Sequence, residues 1–111
     1  MAKYAFFQPI KSGAMDEWKR LVAEMRGPRN AEVKASRGRI GLDREEVWLQ
    51  HTPMGDFAVV YFEASDIGRV FHGLLTSEEP FDKWFRDKVL VGVHGMDPKA
   101  PPPPMNEAIY P

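Results

Sequence analysis

From Glu46 to Glu63 (EVWLQHTPMGDFAVVYFE) hydrophobic residues occupy both phases of a two-residue period. Two runs rich in β-branched and aromatic residues flank a Pro53-Met54-Gly55-Asp56 breaker, which predicts a β-hairpin. A two-residue turn at Met54-Gly55 and a four-residue turn give the same pairing: Trp48 opposite Tyr61, Leu49 opposite Val60 and Val47 opposite Phe62. One face then carries Val47, Leu49, His51, Ala58, Val60 and Phe62. The other carries Trp48, Gln50, Thr52, Phe57, Val59 and Tyr61. Neither face is polar. Antiparallel sheets in small proteins commonly keep one wet face, so both sides of this hairpin require a cover.

The flanking segments supply further elements. Lys3 to Gln8 reads as a short aromatic strand stopped by Pro9. After Ser12 as N-cap, Met15, Trp18, Leu21, Val22 and Met25 recur at helical spacing, and Gly27-Pro28 ends the run. Arg29 to Ile40 predicts a second helix with a thin apolar stripe, closed by Gly41. Beyond the hairpin, Ser65 opens a helix with Ile67, Val70, Phe71 and Leu74 on one side. Gly68 and Gly73 each weaken that helix by up to about 1 kcal/mol relative to Ala. Pro80 and neighbouring acidic residues start another helix, with Phe81, Trp84 and Phe85 on one side. Val89 to Val93 has the β-branched composition of a strand. It is read as helix because no turn residue separates it from KWFRDK. A Pro-rich stretch follows, from Asp97 to Met105. In extended polyproline II form its nine residues reach about 28 Å, enough to carry residues 106–110 across a small domain as a last strand. A peptide ligand for an SH3- or WW-type module is the other reading of the prolines, less favoured because an apolar segment follows.

This order, strand–helices–strand–strand–helices–strand, predicts one α+β domain over residues 1–111: a ferredoxin-like βαββαβ fold with a four-stranded antiparallel sheet and helices on one face. The run WLQHTPMGDFAVVYFEASD, then PFDKWFRDKV, then prolines before a short strand resembles the dimeric α+β barrel superfamily. Within it the chain looks like antibiotic-biosynthesis-monooxygenase-like proteins, and like a group of short bacterial proteins without assigned activity. The resemblance implies a homodimer joined sheet to sheet, with Trp48, Phe57, Val59 and Tyr61 as the interface. It also implies a cavity inside each monomer, and either small-ligand binding or cofactor-independent oxidation of an aromatic substrate. No catalytic signature accompanies it.

Composition narrows the partners. Fifteen basic and sixteen acidic residues leave a net charge of −1, so no global field favours nucleic acid or an anionic membrane. The absence of cysteine excludes disulfides, thiolate metal sites and a cysteine nucleophile. No apolar run approaches the ~20 residues of a membrane span. The apolar patch of MAKYAFFQP is too short for a signal peptide, so a cytoplasmic location is expected. One asymmetry stands out: between Arg26 and Arg44 six residues are basic and two acidic. It reads as an anion-binding strip or, preferred because no aromatic residue interleaves with the charges, as a solvated helix with cations near its C-terminus.

Candidate chemistry is sparse. His51, His72 and His94 lie far apart, and no HEXXH or HXH spacing marks a metal site. Neither metal nor cofactor is expected; a haem ligated by His94 or His51 is disfavoured because nothing in the spacing supports it. His51, on the aliphatic face of the hairpin, is the one catalytic candidate, against the plainer reading of a rim histidine bonded to backbone or water. A small apolar or aromatic ligand is expected between sheet and helices, near His51, Trp18, Phe71, Trp84 and Tyr61; these aromatics otherwise serve as core. Glu46 and Glu63 fall opposite each other on the predicted register, as a carboxylate pair or a splayed strand end.

Overall fold

The hairpin forms, with its turn one position earlier than expected. A computed structural model of the chain describes residues 1–101 and 104–111. Strands β2 (Leu42–Thr52) and β3 (Gly55–Ala64) are joined through Pro53 and Met54. The proline supplies the fixed φ that the first turn position favours, and Gly55 takes a φ of 122°. Thr52 Oγ1 donates to the Gly55 carbonyl (2.6 Å) and accepts from the Met54 N–H (3.1 Å). Trp48 therefore pairs with Val59, Leu49 with Ala58 and Val47 with Val60, two residues away from the predicted register. A shift of two preserves the side-chain phase, so both predicted faces survive it. Glu46 now faces Tyr61 and Arg44 faces Glu63, and Arg44 bridges the two carboxylates at 2.7 Å from Glu46 and 3.8 Å from Glu63.

β1 (Ala2–Pro9) pairs antiparallel with the other side of β3, giving the order β1-β3-β2. The expected four-stranded ferredoxin-like sheet is thus corrected to three strands, with helices on one face of an α+β fold. Residues 106–110 form no strand, and Ile109 and Tyr110 are 81% and 92% exposed. Among the described residues the tail's one hydrogen bond to the free edge of β1 comes from the Asn106 side-chain amide, which donates to the Ala5 carbonyl. One side-chain bond replaces the ladder that a strand would need. The expected extended linker also starts differently: Asp97 closes a turn, its carbonyl accepting from Ala100 N–H (3.1 Å) and its carboxylate from Lys99 N–H (2.9 Å). Pro102 and Pro103, within the predicted polyproline stretch, lie outside the described residues. Without a fourth strand, a barrel of two four-stranded sheets has no counterpart here, and the single chain gives no support for the expected sheet-to-sheet dimer.

All helices lie on the β3 face that carries Ala58, Val60 and Phe62. They are α1 (Met15–Arg26), α2 (Asn30–Ile40), α3 (Ile67–Thr76) and α4 (Pro80–Phe85). Two caps differ from expectation. Ala14, not Ser12, precedes α1. Asp66, not Ser65, caps α3, its carboxylate accepting from Arg69 N–H at 3.1 Å. The ambiguous stretch is helical as far as Val91 and then turns: α4 continues into a π-helical segment, Arg86–Val91. Gly92 N–H reaches back to the Asp87 carbonyl (3.0 Å) and His94 N–H to that of Val89 (3.1 Å), both five residues earlier. Trp18 and Leu21 of α1, Val70 and Leu74 of α3, and Phe81, Phe85, Val89 and Val93 close over the sheet as one core.

The basic strip is largely paired internally. Arg37 meets Glu45 at 2.8 Å, Arg39 meets the buried Asp82 at 3.0 Å, and Arg29 lies 4.0 Å over the Trp84 ring while bonding Glu32. These contacts favour the structural reading of those cations over an anion-binding strip.

Candidate functional site

Strands and helices do not meet everywhere. Between the covered face of the sheet and α1, α2, α3 and the π segment lies a cavity of about 420 Å³, within the range of sites that hold drug-sized ligands. The sequence explains why it stays open. Ala58 and Val60 are small residues at the centre of the sheet, and Val22 and Val33 are short side chains on the facing helices, which leaves room between the layers. Phe6, Phe62 and Phe71 form an aromatic wall, with ring centres 5.2 Å apart for Phe6–Phe62 and 5.4 Å for Phe6–Phe71. Trp18, Met25, Leu74, Phe85, Val89, Leu90 and Met96 complete most of the apolar lining. The cavity opens beside β2, an edge strand, where Val47 is 46% exposed and Arg26 reaches solvent.

Polar groups enter at two ends. Glu45 sits opposite Phe62, and its carboxylate takes two bonds from the Arg37 guanidinium, at 2.8 and 3.3 Å. Arg37 in turn stacks 4.4 Å over Phe85, so this end is neutralised and fixed. At the other end Gln8, opposite Ala58, and His94 reach the cavity. Four residues of β3 separate the two ends, roughly 13 Å at strand rise. His94 is 8% exposed, and its Nδ1 lies 2.8 Å from the Pro9 carbonyl. Burial, which outweighs that hydrogen bond, pushes the imidazole below its ordinary pKa. A backbone bond from Lys11 N–H to the Val93 carbonyl (3.0 Å) locks the histidine's turn against the end of β1.

Of the residues expected at a ligand site, Trp18 and Phe71 line this cavity. The others lie elsewhere. His51 sits at the hairpin end, its side chain 70% exposed, with Nδ1 2.6 Å from Asp56 Oδ1. The hairpin extends past the helical layer, so the aliphatic phase of the strand does not bring His51 under cover. Trp84 does not line the cavity; half-buried against the core, it packs on Phe81 (5.4 Å) and beneath Arg29. Tyr61 points to the opposite face and donates to Glu63 at 2.7 Å. That bond, reinforced by desolvation and the nearby carboxylates, raises its phenol pKa, which makes it a weaker acid and keeps its proton in place. Trp48, Phe57, Val59 and Tyr61 do share the uncovered face, where Phe57 also packs edge-on to Phe7 at 5.6 Å. Phe7 is 69% and Trp48 52% exposed.

Sequence reading missed His94, Gln8 and the Arg37–Glu45 pair. The π segment is the reason for the first: its wide turn moves later side chains out of the 3.6-residue phase by which helical neighbours are found. A signal existed in the apolar run Val89–Val93 ending directly at a histidine. A second opening, about 460 Å³, lies among Tyr4, Phe71, His72, Leu75 and the tail residues Pro98, Ala100 and Met105, without a comparable set of converging polar groups. Among the described residues no three His, Asp or Glu side chains gather as a metal-ligand set. No helix of the described residues is long and apolar enough to cross a membrane. Compared with known proteins, the chain matches no family model, no curated protein and no solved structure.

Proposed function

We propose that the protein binds a small, largely apolar or aromatic molecule in the cavity between its sheet and helices. The observation that carries this reading is the cavity itself: about 420 Å³ left open in a small α+β domain, walled by aromatic and aliphatic side chains and entered by few polar groups. A core without a binding role gains from closing such a space, because unfilled volume costs about 24 cal/mol per Å³ in large-to-small substitutions. The test is a titration of the purified protein with naphthalene, followed by NMR. Saturable shifts at Trp18 and Phe71, abolished by Val22→Phe, support the site. Shifts confined to the open sheet face, or none, defeat it.

A cofactor-independent oxidation of an aromatic substrate in the same cavity is the second reading, favoured by one observation, the buried imidazole of His94 on the lining, whose pKa burial lowers. Turnover of a bound aromatic under oxygen, lost in a His94 variant that still binds, distinguishes it from binding alone.

Self-association belongs to the proposal as a separate matter. The uncovered face presents Phe7 and Trp48 to solvent, and apolar patches of this kind mark contact surfaces. Three strands at about 4.8 Å spacing and eight residues of length offer a face of only about 400 Å², half of a standard partner surface. The association is therefore weak and concentration-dependent.

A further inference from the structure

The lining of the cavity is mostly apolar, with Gln8, Arg26, Asn30, Arg37, Glu45 and His94 as its polar members, so these decide what it selects. His94 is the most constrained of them. The Pro9 carbonyl can only accept a hydrogen bond, so the Nδ1 atom 2.8 Å away must carry the ring proton. Nε2 then holds a lone pair and is an acceptor. Nε2 makes no hydrogen bond to the described residues, yet no side-chain nitrogen or oxygen among them is both sealed from solvent and unpartnered. His94 is 8% exposed and lines the cavity, and its unpartnered Nε2 is not sealed from solvent, so a molecule held in the cavity is the partner within its reach. Burial lowers the imidazole pKa, which favours the neutral ring.

The geometry is built rather than incidental. The π segment ends with His94 N–H on the Val89 carbonyl, and Gly95 follows at a φ of 71°, a conformation that favours glycine. Lys11 N–H on the Val93 carbonyl pins the turn to the chain just after β1. Backbone bonds on both sides therefore fix the imidazole, with its donor nitrogen spent on the protein and its acceptor nitrogen left over. Gln8, one residue before Pro9, enters the cavity from the same end.

We propose that His94 Nε2 is the polar anchor of the cavity and that the ligand is a hydroxylated aromatic, donating its O–H to that nitrogen while the ring lies among the apolar walls. This rests on the cavity reading above and narrows it to a class: neutral phenol-type molecules, in preference to hydrocarbons, ethers or carboxylates. An ether offers no donor to Nε2. A carboxylate would set its negative charge against the Nε2 lone pair.

The test compares 1-naphthol, 1-methoxynaphthalene and naphthalene by titration of the full chain. Nitrogen-detected NMR follows the His94 ring in parallel. Before addition, His94 should show a protonated Nδ1 and an unprotonated Nε2. Naphthol should shift the Nε2 resonance and bind roughly tenfold more tightly than the methyl ether, the discrimination of about one net hydrogen bond. In His94→Phe that preference should vanish while naphthalene still binds. If His94→Phe does not fold, the wild-type Nε2 shift decides the matter alone. Equal affinity for naphthol and its ether, with Nε2 unmoved, overturns the anchor but leaves the cavity reading standing. No saturable binding of any of the three overturns both.

Discussion

Two glycines in helices of this chain look alike in the sequence and differ in their surroundings. A Cβ built at Gly73 would lie 2.4 Å from Ile40 Cγ2 and 2.7 Å from Ile40 Cβ, so its absence lets α3 approach α2. A Cβ at Gly38 meets nothing within 4 Å. Gly73→Ala should therefore lose about 1–3 kcal/mol through overpacking, whereas Gly38→Ala should gain up to about 1 kcal/mol from helix propensity. Urea unfolding of the two variants measures both, and a stabilising Gly73→Ala would refute the close approach. His94 gives a pH dependence of definite sign. Its folded-state pKa lies below the ordinary 6.5, so the folded protein favours the neutral ring. The associated stability is complete above pH 6.5 and is lost as pH falls from there through the depressed folded value. Ordinary carboxylates titrate near pH 4. Between pH 6.5 and about 5, melting temperature should fall more steeply for wild type than for His94→Gln. Parallel curves would show that burial of this ring does not penalise its proton.

At the scale of elements, the hairpin was legible because its two-residue period is indifferent to a register error of two. Trp48 faces Val59 rather than Tyr61, and still lies on the predicted side. The helices were legible from the spacing of Trp18, Leu21, Val70 and Leu74. Two elements were not. Ile109 and Tyr110 have strand composition, but composition cannot tell whether a ladder partner will accept them, and among the described residues of the tail only Asn106 hydrogen-bonds to the edge of β1. Deleting residues 106–111 should consequently change the melting temperature by no more than about 4 °C, the effect of an exposed side-chain bond of about 0.5 kcal/mol in a domain of this size. A large drop in calorimetry would mean that the tail contributes far more than that contact. The π segment was the other difficulty. A helix-continuing sequence and a change of turn width look the same along the chain, yet the second decides that Val89, Leu90 and His94 share the cavity. Beside it, Arg86 donates to the Leu74 carbonyl (3.1 Å) and the Ser77 carbonyl (2.6 Å), tying this region to the end of α3. Asp82 holds it to α2 through Arg39. Burial opposes the Asp82 charge, but bonds from Ser36, Ser77 and Arg39 prevail and leave its pKa lowered.

Over the whole molecule, one face of the sheet is covered by helices and the other is not. The uncovered face leads to a prediction about assembly. Light scattering should give a mass near the 12.7 kDa of one chain when dilute, rising toward twice that value with concentration. Trp48→Glu should hold the mass at one chain. A concentration-independent monomer in wild type would show that Phe7 and Trp48 are simply solvated. The order of residues along the chain specifies the hairpin, its two apolar faces and the amphipathic helices that cover one of them. These follow from local periodicity and turn chemistry, which act between near neighbours in the chain. It also supplied Trp18 and Phe71 as cavity residues, since their helical phases point them at the sheet. Tertiary structure alone decided that the sheet stops at three strands, that His51 stands beyond the helical layer, and that His94 lies inside. Each depends on how far one layer extends over another and on which distant carbonyl a side chain meets. His94 and Pro9 are 85 residues apart, and their contact exists only once β1 and the end of the π segment have docked.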